Sequence, residues 1–325
     1  MTVSKALRDE PDVSAATKTR IKALAEQLGY VPDSTAQGLR NRTTKLFGLA
    51  VSSSADPFLS RLVLAIEEQA CELGYDVVLA HTRARKRRMQ ASSRSGMLRV
   101  DGLFISPVYR IATEARVYQE LLARRIPTVL LGQAAPFCAQ FVCVQTDDLP
   151  ASCALTRHLL KLGHKRIAFL AGPPATPWAR ERFEGYRRAL RESGMDVDDK
   201  LVFQAGRTPE DGAKAAAQML AESARATAVQ AVNDLVALGC ARVFLEHGLR
   251  IPQDISLAGF GDIAFCDYFQ APLTTMRQPK YRLGSAAVAA MRQLLRGQRP
   301  EVKPLPAELV VRASTGSPPA TPQLR

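Results

Sequence analysis

Several things are scarce in this chain, and each scarcity excludes something. No apolar run approaches the roughly 20 residues that a helix needs to cross a bilayer. The N-terminus is polar and helix-patterned and has no signal-peptide core, so the protein is expected in the cytoplasm, with no membrane partner. The six cysteines (Cys71, Cys138, Cys143, Cys153, Cys240, Cys266) form no CxxC pair and no metal-ligand rhythm. They read as buried free thiols in a reducing compartment. The four histidines (His81, His158, His164, His247) form no HExxH and have no clustered partners, which argues against a zinc site or a histidine triad. No GxGxxG follows a strand, no P-loop or GxSxG occurs, and no acid/base pair stands out. The chain is not expected to be an enzyme, and no cofactor or metal is implied.

Acidic side chains are also in deficit, 31 against 44 Lys and Arg, for a net charge of +13. Such a balance suggests a polyanionic partner. Its location complicates that reading. Residues 1–45 hold eight Lys/Arg against five Asp/Glu, so only +3 resides there. Residues 83–99 hold seven Lys/Arg and no acid. That run reads as the solvated face of a helix, with a second anion site as the alternative.

At 325 residues, 46% hydrophobic, the chain is long enough for two or three packed units of a soluble globular protein. From residue 46 onward, strands alternate with helices. Leu46–Val51, Asp76–Ala80, Asp101–Ile105 and Ile126–Leu131 read as strands, with helices at Leu59–Leu73, across the basic run, and at Glu114–Arg124. The alternation then restarts with a helix at Ala151–Leu162, ended by Gly163. Strands follow at Arg166–Ala171, Leu201–Phe203, Ala228–Val232 and Ile255–Phe260, separated by helices at Arg180–Ser193, Glu210–Glu222 and Asp234–His247. Apolar strands separated by helices predict parallel sheets covered on both faces. The expected fold class is α/β, with two doubly wound lobes that bind ligands at the carboxyl ends of their strands. The Pro-rich tail, 317–325, is expected to be disordered.

The first 32 residues form a smaller object. Met1–Leu7 and a second helix opened by Val13–Thr17 make a compact pair; the second runs through Ile21, Leu24, Ala25 and Leu28 and stops at Gly29-Tyr30-Val31-Pro32. Such a pair buries little and is marginal alone. Residues 33–40 could make two helical turns that Gly38 weakens by about 1 kcal/mol, and Asn41–Lys45 reads as a linker. A weak helix of this kind folds when something orders it.

Six segments carry a resemblance in this order and spacing: Thr2-Val3-Ser4-Lys5-Ala6-Leu7, Leu28-Gly29-Tyr30-Val31-Pro32, Arg99-Val100-Asp101-Gly102, Leu162–Phe169, Asn233–Gly239 and Pro272–Pro279. With them the chain resembles the lactose-repressor-type (LacI/GalR) transcriptional regulators over residues 2–315. The resemblance implies a helix-turn-helix headpiece at 1–32, a hinge helix and linker at 33–45, and two periplasmic-binding-protein-like lobes at 46–316. The N-lobe would take 46–160 and 279–304, and the C-lobe 161–278 and 305–315. It implies a repressor that works as a homodimer on a pseudo-palindromic double-stranded DNA operator. Thr2–Leu7 would enter the major groove, with Lys5 donating to guanine or phosphate and Thr2, Ser4 and Thr17 contacting phosphate. Leu39, flanked by Ala36 and Gln37, would be the wedge inserted into the minor groove, or else would cap a linker. The family has a further helix before Thr2, so the headpiece is expected to be truncated here. Either Met1 is an internal residue read as a start, or the chain is a two-lobed sensor without DNA binding.

The resemblance also implies an effector cleft. Asp148, Arg182 and Asn233 would bind a sugar or sugar acid, Phe58 and Trp178 would pack on it, and Asp262 is counted with them. Asp148 and Arg182 could instead be a structural ion pair, and Asp147 competes with Asp148 for the inward position. Two departures point to an anionic guest. Gly261 stands where many relatives have a carboxylate, and Arg207 stands where some have an aromatic.

Overall fold

The computed structural model describes residues 2–7, 9–30, 43–53, 55–81, 100–106, 116–134 and 138–319. The hinge residues 33–42, the basic run 83–99 and residues 320–325 lie outside the described residues. The chain divides into two compact units, Met1–Lys45 and Leu46–Arg325.

In the smaller unit, α1 (Thr2–Leu7) packs on α2 (Ala15–Gln27). Ser14 caps α2 by accepting from the Thr17 backbone N–H at 3.3 Å. Among the described residues of this unit Ala6 and Val13 are the buried apolar side chains, whereas Val3, Leu24, Leu28 and Tyr30 are exposed. Two buried side chains are little against the entropy of ordering two helices.

The larger unit is built on two sheets. The first has β1 (Leu46–Val51), β2 (Asp76–His81), β3 (Gly102–Ile105), β4 (Thr128–Leu131) and β5 (Val142–Val144), all parallel in the order β2-β1-β3-β4-β5. Two helices described between these strands are α3 (Pro57–Glu72) and α4 (Arg116–Ala123). Asp56 caps α3 and Pro57 sits in its first turn, where a missing N–H costs nothing. Leu59, Leu62, Val63, Ile66 and Ala70 then fall on one buried stripe, at the 3.6-residue period. At β3, a Cβ on Gly102 would lie 2.4 Å from Met291 Sδ, so the Asp101-Gly102 motif marks a strand that a helix approaches closely.

The second sheet has β6 (Ile167–Ala171), β7 (Val202–Gln204), β8 (Ala228–Ala231), β9 (Ser256–Gly261), β10 (Thr274–Arg277) and β11 (Glu308–Val310), in the order β11-β10-β9-β8-β6-β7. Only β11 runs antiparallel among these described strands. Its helices include α5 (Asp148–Lys161), α6 (Pro177–Glu192), α7 (Pro209–Ala221) and α8 (Asp234–Glu246). A last helix, α9 (Lys280–Leu295), returns to pack on α3 and the first sheet.

The expected lobe boundary needs correction. The expected N-lobe includes residues 148–160, but α5 packs on α6 and on strands of the second sheet. Ser152 Oγ donates to the Arg182 carbonyl, and Thr156 Oγ1 bonds Gln230 on β8 at 2.6 Å. The lobes therefore divide at residues 145–147. Three segments cross between them there, and they are tied to each other. Asp147 N donates to Leu305 O at 3.0 Å, Leu305 N to Gln145 O at 2.9 Å, and Gln278 Nε2 to Thr146 Oγ1 at 2.7 Å. The tail is anchored as far as Gly316, whose carbonyl accepts from the His164 Nε2–H at 2.8 Å.

Candidate functional site

Both sheets reverse strand order next to their first strand, and the carboxyl ends of the strands face a shared cleft of about 250 Å³. Ser52 follows β1, Ser106 follows β3, and Gln133 and Gln145 follow β4 and β5. From the other lobe, Trp178, Arg207 and Asn233 follow β6, β7 and β8. Six of the seven expected effector residues line this cleft: Phe58, Asp148, Trp178, Arg182, Arg207 and Asn233.

Arg182, on α6, is buried at the cleft wall. Its guanidinium lies 3.8 Å from the Phe260 ring centroid and 4.8 Å from that of Trp178. Nε and one terminal nitrogen meet Asp148 Oδ2 at 2.8 Å, and the other donates to the Val232 carbonyl at 2.7 Å. Asp148 Oδ1 accepts from Thr146 Oγ1 and from Gln278 Nε2. Arg182 and Asp148 are thus an ion pair and also part of the cleft wall. Of five guanidinium N–H groups three are used in these bonds, leaving two. Asp147, the alternative inward carboxylate, is exposed and does not line the cleft.

Asn233 caps α8, its Oδ1 accepting from Val236 N at 2.8 Å while Nδ2 donates to the Arg207 carbonyl at 3.1 Å. One amide N–H remains. Arg207 does not point a free cation at the cleft. Its guanidinium faces Asp56 across the cleft at 3.5 Å.

Asp262 departs from expectation, because it does not line the cleft. Its backbone is in the left-handed region (φ 53°), and the carboxylate meets Arg277 Nε at 2.6 Å and Arg312 at 2.8 Å. Partial burial alone would raise its pKa, but the two guanidiniums hold it below the usual carboxylate range. The carboxylate beside the cleft at this point is Asp234, which was not singled out from the sequence. It is buried and accepts from Thr275 Oγ1 at 2.6 Å and from Ile263 N at 3.0 Å. Burial pushes its carboxyl above the usual range. Gly261 (φ 137°) makes room for it, since a Cβ there would lie 3.0 Å from Asp234 Oδ2. Asp56, Gln133 and Gln278 were also missed; Asp56 stands two residues before Phe58 and Gln278 lies within Pro272–Pro279, whereas no motif marks Gln133.

In the helical unit, Lys5 forms an ion pair with Asp12, which lowers the Asp12 pKa through that hydrogen bond. Thr2 is exposed, and the Thr17 hydroxyl lies 2.8 Å from Ser14 Oγ. Ser4 lies on α1, with its side chain outside the described residues, as are Ala36, Gln37 and Leu39 altogether.

Residues 1–33 match the family described as bacterial regulatory proteins, lacI family, and residues 156–315 match a periplasmic binding protein-like domain. The ribose operon repressor of Escherichia coli (strain K12) is 32% identical over 290 residues, 88% of this chain and 86% of the repressor. A solved lac repressor dimer, bound to operator and the anti-inducer ONPF, matches with a TM-score of 0.86 at 30% identity, covering 97% of this chain and 95% of that one. A complex of the transcriptional regulator CelR with cellobiose matches at 0.76 and 29% identity, covering 96% and 95%. The chain belongs to the LacI family of bacterial regulatory proteins, DNA-binding transcriptional repressors controlled by a small ligand.

Proposed function

We propose that the effector of this repressor is an uncharged sugar, and that its occupancy of the cleft sets the affinity of a homodimer for a pseudo-palindromic operator. The observation that carries the ligand class is charge pairing. Three carboxyl groups line the cleft (Asp56, Asp148, Asp234) against two guanidiniums (Arg182, Arg207), and each guanidinium already faces a carboxylate. An anionic guest would have to displace one of those partners. Hydroxyl groups need no such exchange. They can use the remaining N–H groups of Arg182 and Asn233, together with carboxylate lone pairs. Phe58 and Trp178 supply aromatic faces for the C–H side of a sugar ring. The cellobiose held by the related regulator supports the same class.

On the DNA side, α1 is the element to enter the major groove. Lys5 exchanges Asp12 for a base edge or phosphate, and Thr2, Ser4 and Thr17 take phosphates. Leu39, between Ala36, Gln37 and the linker, is the minor-groove wedge. A DNA partner places the protein in the cytoplasm.

Operator DNA selected from a random pool by the full chain supplies the probe. Anisotropy titrations of that DNA, with neutral pentoses, hexoses and disaccharides beside aldonates and uronates, test both parts. A neutral sugar is expected to shift DNA affinity by about 5- to 150-fold. A response to sugar acids alone would overturn the ligand class. DNA binding indifferent to salt, or none, would overturn the operator reading.

A further inference from the structure

Arg207 and Asp56 belong to different lobes, yet the backbone around each is held ready for the other. The Arg207 and Thr208 amides donate to Asp211 Oδ2 at 3.0 and 3.1 Å, and the Arg207 carbonyl accepts from Asn233. Opposite, Asp56 spends Oδ1 on capping α3 through Phe58 N at 3.0 Å, which leaves Oδ2 to face the guanidinium at 3.5 Å. Asp211 and Asn233 fix the Arg207 backbone, and the cap fixes Asp56, so neither lobe needs the ion pair in order to fold. Both side chains line the cleft, with 43% of Arg207 and 21% of Asp56 open to solvent.

We propose that Asp56 and Arg207 form a cross-cleft latch that holds the unliganded lobes together and selects guests by charge. The latch rests on the reading of this cleft as the effector site. A neutral guest leaves the pair intact. An anion competes with Asp56 for Arg207, and a cation competes with Arg207 for Asp56. A partly exposed pair of this kind shifts the ratio of closed to open cleft about 1.5- to fivefold. Salt weakens it, because the screening length falls to about 3 Å at 1 M.

Trp178 is the single tryptophan of the chain and lines the same cleft, so its fluorescence reports access without a label. Collisional quenching of Trp178 is measured in the ligand-free full chain and in Asp56→Asn, Arg207→Ala and the double variant. Asparagine keeps the acceptor that caps α3, so Asp56→Asn removes charge while leaving the helix start satisfied. Acrylamide quenching is expected to rise about 1.5- to fivefold in either single variant, by no more in the double, and in the wild type at about 1 M sodium chloride. Iodide should gain more than caesium in Asp56→Asn, where Arg207 is released, and the order should reverse in Arg207→Ala. Quenching unchanged by mutation and salt, or opened further by the double variant than by either single one, overturns the latch. These readings use no ligand and no DNA, so their failure is distinct from failure of the effector assignment.

Discussion

Arg182→Met is the most informative single change in the larger unit. The guanidinium sits between Phe260 and Trp178 and neutralises Asp148, which is itself buried. Methionine has similar length and keeps the apolar contacts, but it cannot donate. Asp148 would retain only Thr146 and Gln278, and the Val232 carbonyl would lose the Arg182 donor. Removing one member of a buried ion pair costs about 3–5 kcal/mol, because the survivor is left charged in a poorly solvated place. That is a large share of the roughly 5–15 kcal/mol that holds a typical domain folded. Changing both members, Asp148→Asn with Arg182→Met, should restore about 1–4 kcal/mol, since no unpaired charge remains. Urea unfolding followed by Trp178 fluorescence measures both, because the tryptophan lies on the same helix as Arg182. A loss below about 1 kcal/mol in the single variant, or a double variant less stable than it, would refute the charge-burial reasoning.

Gly261→Ala forces a side chain onto φ 137° and against Asp234, so it should destabilise the second lobe by more than about 1 kcal/mol and weaken effector binding; calorimetric melting with unchanged Tm would count against this. Burial pushes the imidazoles of His158 and His164 below their ordinary 6.5, while both hold the C-terminal segment through Thr315 and Gly316. The unfolded chain therefore takes up protons first, so this contribution is complete above pH 6.5 and is lost as the pH falls through the folded values. The Tm should drop between about pH 7.5 and 5.5, and His158→Gln, which keeps a donor for Thr315, should drop less; equal drops would exclude His158 from the effect.

How much of the fold was legible depended on what each element buries. Strands such as Leu46–Val51, buried from Phe47 onward, and Ile167–Ala171, buried throughout, read as apolar runs between polar residues or glycine. β5 and β11 have three residues each and are only partly buried, too short for any periodic signal. β10 was noticed as a motif, not as a strand, because two of its four residues are threonines whose hydroxyls bond inside the lobe. The lobe of α5 was misassigned for a different reason. Amphipathic spacing states that a helix has a buried face but not which sheet covers it. That choice is made by pairings 30 or more residues away, Ser152 with the Arg182 carbonyl and Thr156 with Gln230.

The two departures that suggest an anionic guest, at Gly261 and Arg207, each meet a carboxylate in the structure that the sequence does not place beside them. A missing acid at Gly261 reads as a lost acceptor only if the carboxylate must come from that position. Here the space freed by glycine is taken by Asp234 from the start of the next helix over, whose Oδ1 and Oδ2 are held by Thr275 and the Ile263 amide. A gained cation at Arg207 reads as an anion receptor only if it has no partner, and Asp56 faces it from the other lobe. Each change is therefore balanced by a residue far away in sequence but within a few ångströms in space. The charge that a ligand meets is a property of these pairs, so substituting either member of a pair should alter ligand charge preference more than substituting any isolated polar residue of the wall.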